Sequence, residues 1–245
     1  MLLHDDRKIF LFINYFVSDN PERQKEIDYC VSTNAESPYF ERVVSISKRD
    51  TKRRQPKVHW VQHFKRPNYR QFIEHCNQHY QGHICVLANI DITFDDTILM
   101  LYDIDLTKTL VALTRWKHNL VHGDARNQRT WTLNVGWSFG RYEHDEPKPN
   151  EQGRVLKPKG SYTQDVWAFQ APFEVDEKEA DFTMGYMGCE HKIASIARKA
   201  GYRVVNPSKS IKATHWHDSE HRTYDRDSRF DVYCPTVPCF IEEIT

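Results

Sequence analysis

The sequence predicts an α/β fold in which the strands of a sheet are connected by crossover helices that flank it. Three observations lead there. Short β-rich apolar runs alternate with segments of helical periodicity, capping residues stand at the starts of those segments, and 245 residues suffice for one sizeable core but are short for two domains of usual size. A single domain over residues 1–245 is the expected unit.

Each element has its own signature. Ile9 to Phe16 is a β-prone run that stops at Ser18-Asp19-Asn20-Pro21, where Asn20 can cap a helix and Pro21 suits its first turn. That helix runs to about Thr33 and buries Ile27, Cys30 and Val31. Val43 to Ile46 and Val58 to Phe64 read as strands, with KRDTKRRQPK between them as a solvated loop. Asn68 can cap a helix from Tyr69 to about Tyr80 that turns Phe72, Ile73 and Cys76 to one side. His83 to Leu87 is apolar and β-prone, as a strand covered on both faces must be. Thr97 to Tyr102 reads as helical and Leu110 to Trp116 as a strand. Residues 123–128 and 143–160 form polar excursions of a length usual for functional loops. Cys189 to Ala200 carries Ile193, Ile196, Ala197 and Ala200 at helical spacing, with Gly201 placed to end the helix. Arg203 to Val205 and Ile211 to Thr214 are strands on either side of a turn at Asn206-Pro207-Ser208.

Lys+Arg and Asp+Glu both number 34, so no overall field attracts nucleic acid or an anionic membrane, and the partner must be recognised by a site. Met1 is followed by Leu-Leu-His-Asp-Asp, not by a basic segment and a long apolar run, and the six cysteines have no regular spacing. Both point to reduced thiols and a cytoplasmic location. No apolar stretch approaches the roughly 18 residues of a membrane span, which leaves peripheral membrane contact as the conceivable kind.

The chemistry concentrates where the His83 to Leu87 strand runs into Ala88-Asn89-Ile90-Asp91-Ile92, because open α/β sheets bind ligands at the carboxyl ends of their strands. Residues two apart share a strand face. Asn89 and Asp91 can therefore address one ligand, Asp91 as the carboxylate of a hard divalent ion and Asn89 on a ribose or an ion-held water. Such an ion suits a reaction in which a diphosphate departs. The bland alternative is an ordinary turn, which Asn and Asp also favour. Asp103-Ile104-Asp105 follows a helical segment and reads as a cap or turn. His215-Trp216-His217 follows the last strand, with His215 and His217 on one face.

The order of these segments resembles the GT-A glycosyltransferases, and more closely the small transferase domains of bacteria and large algal viruses. The similar stretches are INYFVSDNPERQKEIDYCVSTN, CVLANIDITFDDTI, LVALTRW, TQDVWAFQAP and GYMGCEHKIASIARKAGYRVVNPS followed by HWHDSEHRTYD. Asn89 departs from the Asp-x-Asp usual in that family. The resemblance implies a GT-A-like, Rossmann-like fold with a mixed, mainly parallel sheet flanked by helices, and transfer of a sugar from a nucleotide-sugar donor, UDP first and GDP next, to a carbohydrate acceptor, assisted by Mn²⁺ or Mg²⁺. It further implies a nucleotide-binding half over 1–116 and an acceptor-side half over 117–245. Asn14, Tyr15 and Arg23 would then lie near the nucleotide, with Tyr15 stacked on the base and Arg23 on phosphate or paired with Glu26. Arg115 would contact the donor. His215 or His217 would join Asp91 on the metal. Glu190 or Asp165 would be the acceptor-side base, and His221, Arg222 and Tyr224 would close over the diphosphate.

Other functions leave different marks. Nucleotidyl transfer would want a Gly-rich basic loop after the first strand, where this chain has Val17-Ser18-Asp19-Asn20. A zinc-stabilised interaction domain would use His215, His217, Cys234 and Cys239, whose Cys-x₄-Cys spacing is loose for structural zinc. A relative that binds nucleotide or carbohydrate without turnover would share the fold and lack the metal-dependent step.

Overall fold

The structure is a computed structural model that describes residues 6–47, 57–63, 65–119, 130–133, 164–186, 188–219, 230, 232 and 234–245. The expected excursions at 123–128 and 143–160, and His221, Arg222 and Tyr224, lie outside the described residues.

The chain forms strands β1 (Ile9–Ile13), β2 (Arg42–Ser47), β3 (Val58–Gln62), β4 (Ile84–Ala88), β5 (Ile92–Phe94), β6 (Thr109–Leu113), β7 (Trp116–Asn119), β8 (Thr130–Leu133), β9 (Val166–Gln170), β10 (Arg203–Val205) and β11 (Ala213–His215). Its α-helices are α1 (Pro21–Glu36), α2 (Tyr69–His79) and α3 (Cys189–Lys199), and Asp96–Asp103 forms a 3₁₀ helix. A seven-stranded sheet has the order β10-β6-β9-β4-β1-β2-β3. All its pairings are parallel except those of β9, which runs against both β4 and β6. The mixed, mainly parallel sheet that the resemblance implies is therefore the sheet observed. No helix among the described residues is long and apolar enough to cross a membrane.

Strand alternation builds two apolar layers from one sheet. Ile9, Leu11 and Ile13 of β1 join Ile84, Val86 and Ala88 of β4 on the face covered by Ile27, Val31 and Ala35 of α1. Phe10 and Phe12 join Cys85 and Leu87 on the other, against Phe72, Ile73 and Cys76 of α2 and Ile193, Ile196 and Ala197 of α3. Because both faces are covered, the central strands carry no polar side chain until they end, and the first polar groups appear at their carboxyl edge.

Asn20 caps α1 as expected, its side chain accepting from the backbone N–H groups of Glu22 and Arg23 at 2.9 and 3.0 Å. Asn20→Ala should cost about 1 kcal/mol and lower the thermal midpoint by roughly 2–4 °C. A melt unchanged within error would deny the cap that role.

Two expectations are corrected. Leu110 to Trp116 is not one strand: β6 stops at Leu113 because the Thr114 N–H donates to Asn206 Oδ1 (3.2 Å) and Ser208 Oγ (2.7 Å), leaving the ladder. The chain then enters a second sheet, ordered β5-β11-β7-β8, which the sequence did not suggest. Asn89 and Asp91 do not share a strand face either. β4 ends at Ala88, and residues 89–92 form a turn closed by the Ile92 N–H donating to Asn89 O at 3.3 Å.

Candidate functional site

The direction of strand succession reverses between β1 and β4: from β1 the chain proceeds outward through β2 to β3, while β4 lies on the opposite side. Such a switch point leaves a crevice at the carboxyl edge. The residues just past it are Asn14, after Ile13, and Asn89, after Ala88, and Ile13 and Ala88 are register partners. Since β9 is antiparallel, its amino end meets the same edge. Val166 pairs with both Ala88 and Leu113, so Asp165 stands between Asn89 and Thr114. Backbone bonds fix it there: Asn89 N–H donates to Asp165 O and Asp165 N–H to Leu113 O, at 3.0 and 3.1 Å.

The second sheet assembles the acid and the imidazoles. β11 pairs antiparallel with β5, placing His215 opposite Ile92, and the Trp216 N–H donates to Asp91 O at 2.8 Å. His215 Nε2 and His217 Nδ1 then lie 3.2 and 3.5 Å from Asp91 Oδ2. Among the described residues, Asp91, His215 and His217 are the one group of three potential ligands whose donor atoms all lie within 4.8 Å of one another. Arg23, on the first turn of α1, places Nη2 2.6 Å from the same Oδ2. Burial alone would raise the Asp91 carboxyl, yet His215, His217 and Arg23 around it hold it well below the usual carboxylate range. Asp91 is 6% exposed, but within a polar cluster, not turned into the apolar interior.

Glu26 closes this cluster from behind. Its Oε2 takes Arg23 Nη1 at 2.9 Å, and its Oε1 accepts the backbone N–H groups of Asp218 and Ser219 at 2.8 and 2.7 Å. Helix α1 thereby ties down the segment that follows His217. Trp216 is held from the other side, its Nε1 donating to Thr93 Oγ1 at 2.7 Å.

A second polar group lies across the edge. Asp165 accepts Asn89 Nδ2 at 2.6 Å and Arg115 Nη1 at 3.1 and 3.2 Å, so both its oxygens are engaged. Arg115 Nε is buried without a hydrogen-bond partner among the described residues. Beneath, Asn206 Nδ2 donates to Thr114 Oγ1 and Thr236 Oγ1, locking the backbone that carries Arg115. Glu190 sits in the first turn of α3, whose N-cap, Gly188, offers no side chain. Burial pushes its carboxyl up to about 7, with the backbone N–H of Glu190 pulling the other way and the Asp165 charge adding to the rise.

The structure thus brings Asn14, Asn89, Asp91, Arg115, Asp165, His215 and His217 to one edge, with Arg23 reaching it from α1. Tyr15 is the exception. The residue is 3% exposed, its ring lies nearly perpendicular to that of Trp60, and its hydroxyl donates to Asp28 Oδ1 at 2.9 Å, so it is a core residue with little surface to offer a base. The four-residue zinc set is also corrected: Cys239 Sγ donates to Asn206 O at 3.4 Å, Cys234 is buried, and neither cysteine belongs to the metal-capable group. Asp105 caps its own turn, accepting the Thr107 N–H at 3.0 Å, as read from the sequence. Sequence reasoning missed Glu26 as an anchor and Asn206 as a brace. The Arg23, Glu26 spacing was its one local hint of the first.

No protein-family model matches the chain, and no curated protein matches it. Similar solved structures include a mannosyltransferase from Pyrobaculum calidifontis in complex with GDP-Man and Mn²⁺, at 15% identity and a TM-score of 0.50, covering 87% of this chain and 58% of that one. A Francisella tularensis 2-C-methyl-D-erythritol 4-phosphate cytidylyltransferase matches at 11% identity and a TM-score of 0.45, covering 90% of this chain and 95% of that one. A 4-diphosphocytidyl-2C-methyl-D-erythritol synthase matches at 10% identity and 0.43, covering 91% and 95%. The likeness to the mannosyltransferase is one of fold, a GT-A-like, Rossmann-like α/β fold, and this chain spans little more than half of that protein's length.

Proposed function

We propose that this chain is a metal-dependent glycosyltransferase that moves a sugar from a nucleotide-sugar donor to a hydroxyl of a glycan or other acceptor. The observation that carries the reading is the convergence of Asp91, His215 and His217 at the carboxyl edge of the sheet, where the strand order reverses. One carboxylate and two imidazoles suit Mn²⁺ and are less natural for Mg²⁺, which prefers oxygen ligands. Of those two ions, Mn²⁺ is therefore the one these three residues would hold. When bound, it would offset the charge that develops on the departing nucleoside diphosphate.

The chain's own groups divide the remaining work. Asn14 and Asn89, just past β1 and β4, stand where a nucleoside's hydroxyls would be read, and Arg23 and Arg115 supply positive charge on either side. Glu190 is the proposed acceptor-side base. Asp165 is less suited to that role, because Arg115 and Asn89 already engage three of its roughly four lone-pair directions. Its use is to orient Arg115. A base at Glu190 favours an inverting outcome. The donor side draws mainly on 1–116, with His215 and His217 contributed from 117–245.

Sugar transfer is favoured over nucleotidyl transfer by the loop after β1. Ser18 N–H donates to Gln24 Oε1 at 2.8 Å and Asn20 N–H to Ser18 Oγ at 3.2 Å, so backbone donors that a triphosphate would need are engaged internally.

The test is a thermal-shift panel of UDP-, GDP- and dTDP-sugars, GDP-mannose included, each with and without Mn²⁺. A donor at 100 times its Kd adds about 2.7 kcal/mol, a rise of roughly 5–10 °C for a domain this size. The expected result is one donor that raises the melt with Mn²⁺ and not without it. If no nucleotide sugar moves the melt in the presence of Mn²⁺, the reading is wrong.

A further inference from the structure

We infer that Arg23 is a resident cation on the Asp91 carboxylate, and that a divalent ion must displace it to bind. The inference rests on the metal reading of Asp91, His215 and His217 and adds what competes for that site. Its basis is that three donors crowd one oxygen. Arg23 Nη2, His215 Nε2 and His217 Nδ1 all address Asp91 Oδ2, and the arginine is nearest at 2.6 Å. A carboxylate oxygen has about two lone-pair directions and the guanidinium already holds one of them, so an ion that takes Oδ2 together with both imidazoles must bind beside a cation bonded to the same oxygen.

Charge argues the same way. Asp91 and Glu26 bring two negative charges to a pocket where Arg23 brings one positive charge, and the side chains of all three are less than one-sixth exposed. Without an ion, that arrangement keeps the buried carboxylates paired, which an unpaired buried charge would not tolerate. A divalent cation on Asp91 reverses the balance and repels the guanidinium at short range. Glu26 gives Arg23 somewhere to stay, since Nη1 is already 2.9 Å from Glu26 Oε2 and 3.4 Å from Trp216 O. The arginine can thus release Asp91 without becoming an unpaired buried charge.

The site is accordingly preassembled by its own counter-ion, at a cost in metal affinity. The experiment titrates wild-type, Arg23→Met and Arg23→Lys protein with Mn²⁺, reading free Mn²⁺ by electron paramagnetic resonance. Arg23→Met should bind Mn²⁺ at least about fivefold more tightly than wild type, a coupling of ordinary size, and more tightly than Arg23→Lys, which keeps the charge. If the methionine variant does not fold, a crystal structure of the wild-type protein with Mn²⁺ decides: Arg23 should have left Oδ2 and kept Glu26. Wild type that binds Mn²⁺ while Arg23→Met binds no tighter, or Arg23 still bonded to Oδ2 beside a bound ion, overturns the displacement and leaves the metal reading standing. No Mn²⁺ binding by wild type or either variant overturns both.

Discussion

Asp91→Asn is expected to abolish measurable Mn²⁺ binding and to lower kcat/KM for sugar transfer by roughly 10³-fold or more, since a metal's stabilisation of developing charge is worth several kcal/mol at 1.36 kcal/mol per decade. Asparagine is the right replacement. Alanine would strip Arg23 of a partner it meets at 2.6 Å, and breaking a buried pair costs about 3–5 kcal/mol. Asparagine keeps the shape and an acceptor oxygen for the guanidinium, so a folded protein is expected, with circular dichroism unchanged. The side chain's three charged or potentially charged neighbours then lose the anion that gathers them, and His215 and His217 cannot hold a hard ion without it. Retained Mn²⁺-dependent turnover in folded Asp91→Asn would remove this carboxylate from the metal site.

Glu190→Gln should reduce kcat by about 10²–10⁴-fold, the range a general base contributes, with donor affinity nearly unchanged if the residue acts on the acceptor as proposed. Its pH signature is more telling. With the carboxyl at about 7, the wild-type rate should rise with pH through that value as the base ionises, and this limb should vanish in Glu190→Gln. Stability should move oppositely. The folded value lies above the ordinary 4.5, so the folded state holds this proton more tightly; the contribution is complete below 4.5 and lost as pH rises through about 7. Between those values activity climbs while stability declines, and Glu190→Gln should flatten both. A variant that keeps the limb near 7 would give the proton to another group.

Local chemistry made much of this legible. Asn20 and Asn68 announced α1 and α2 because capping is a contact within four residues. Unbroken burial along β1 and β4 could be read from their continuous apolar runs, since a doubly covered strand admits no polar residue. His215 and His217 were paired by strand alternation alone, and Asp91 stood out as an acid at the end of such a run. The misreadings share one cause. Tyr15 looked like a base-stacking residue because nothing near it in sequence says that Trp60 and Asp28 enclose it. Leu110 to Trp116 looked like one strand because the break at Thr114 is made by Asn206 and Ser208, more than ninety residues away.

What the sequence determined by itself is the α/β class, with strands alternating with helices, and the residue types that follow its strands, since both follow from periodicity and from contacts within a turn. What the tertiary structure alone decided is who meets whom at the carboxyl edge of the sheet. Arg23 and Asp91 are 68 positions apart, and Glu26 and Ser219 are 193 apart. Asp165 faces Asn89 and Arg115 only because β9 enters the sheet antiparallel. Such partners are chosen by strand order and sheet pairing, which bury groups together whatever their separation along the chain, and no local pattern encodes that choice.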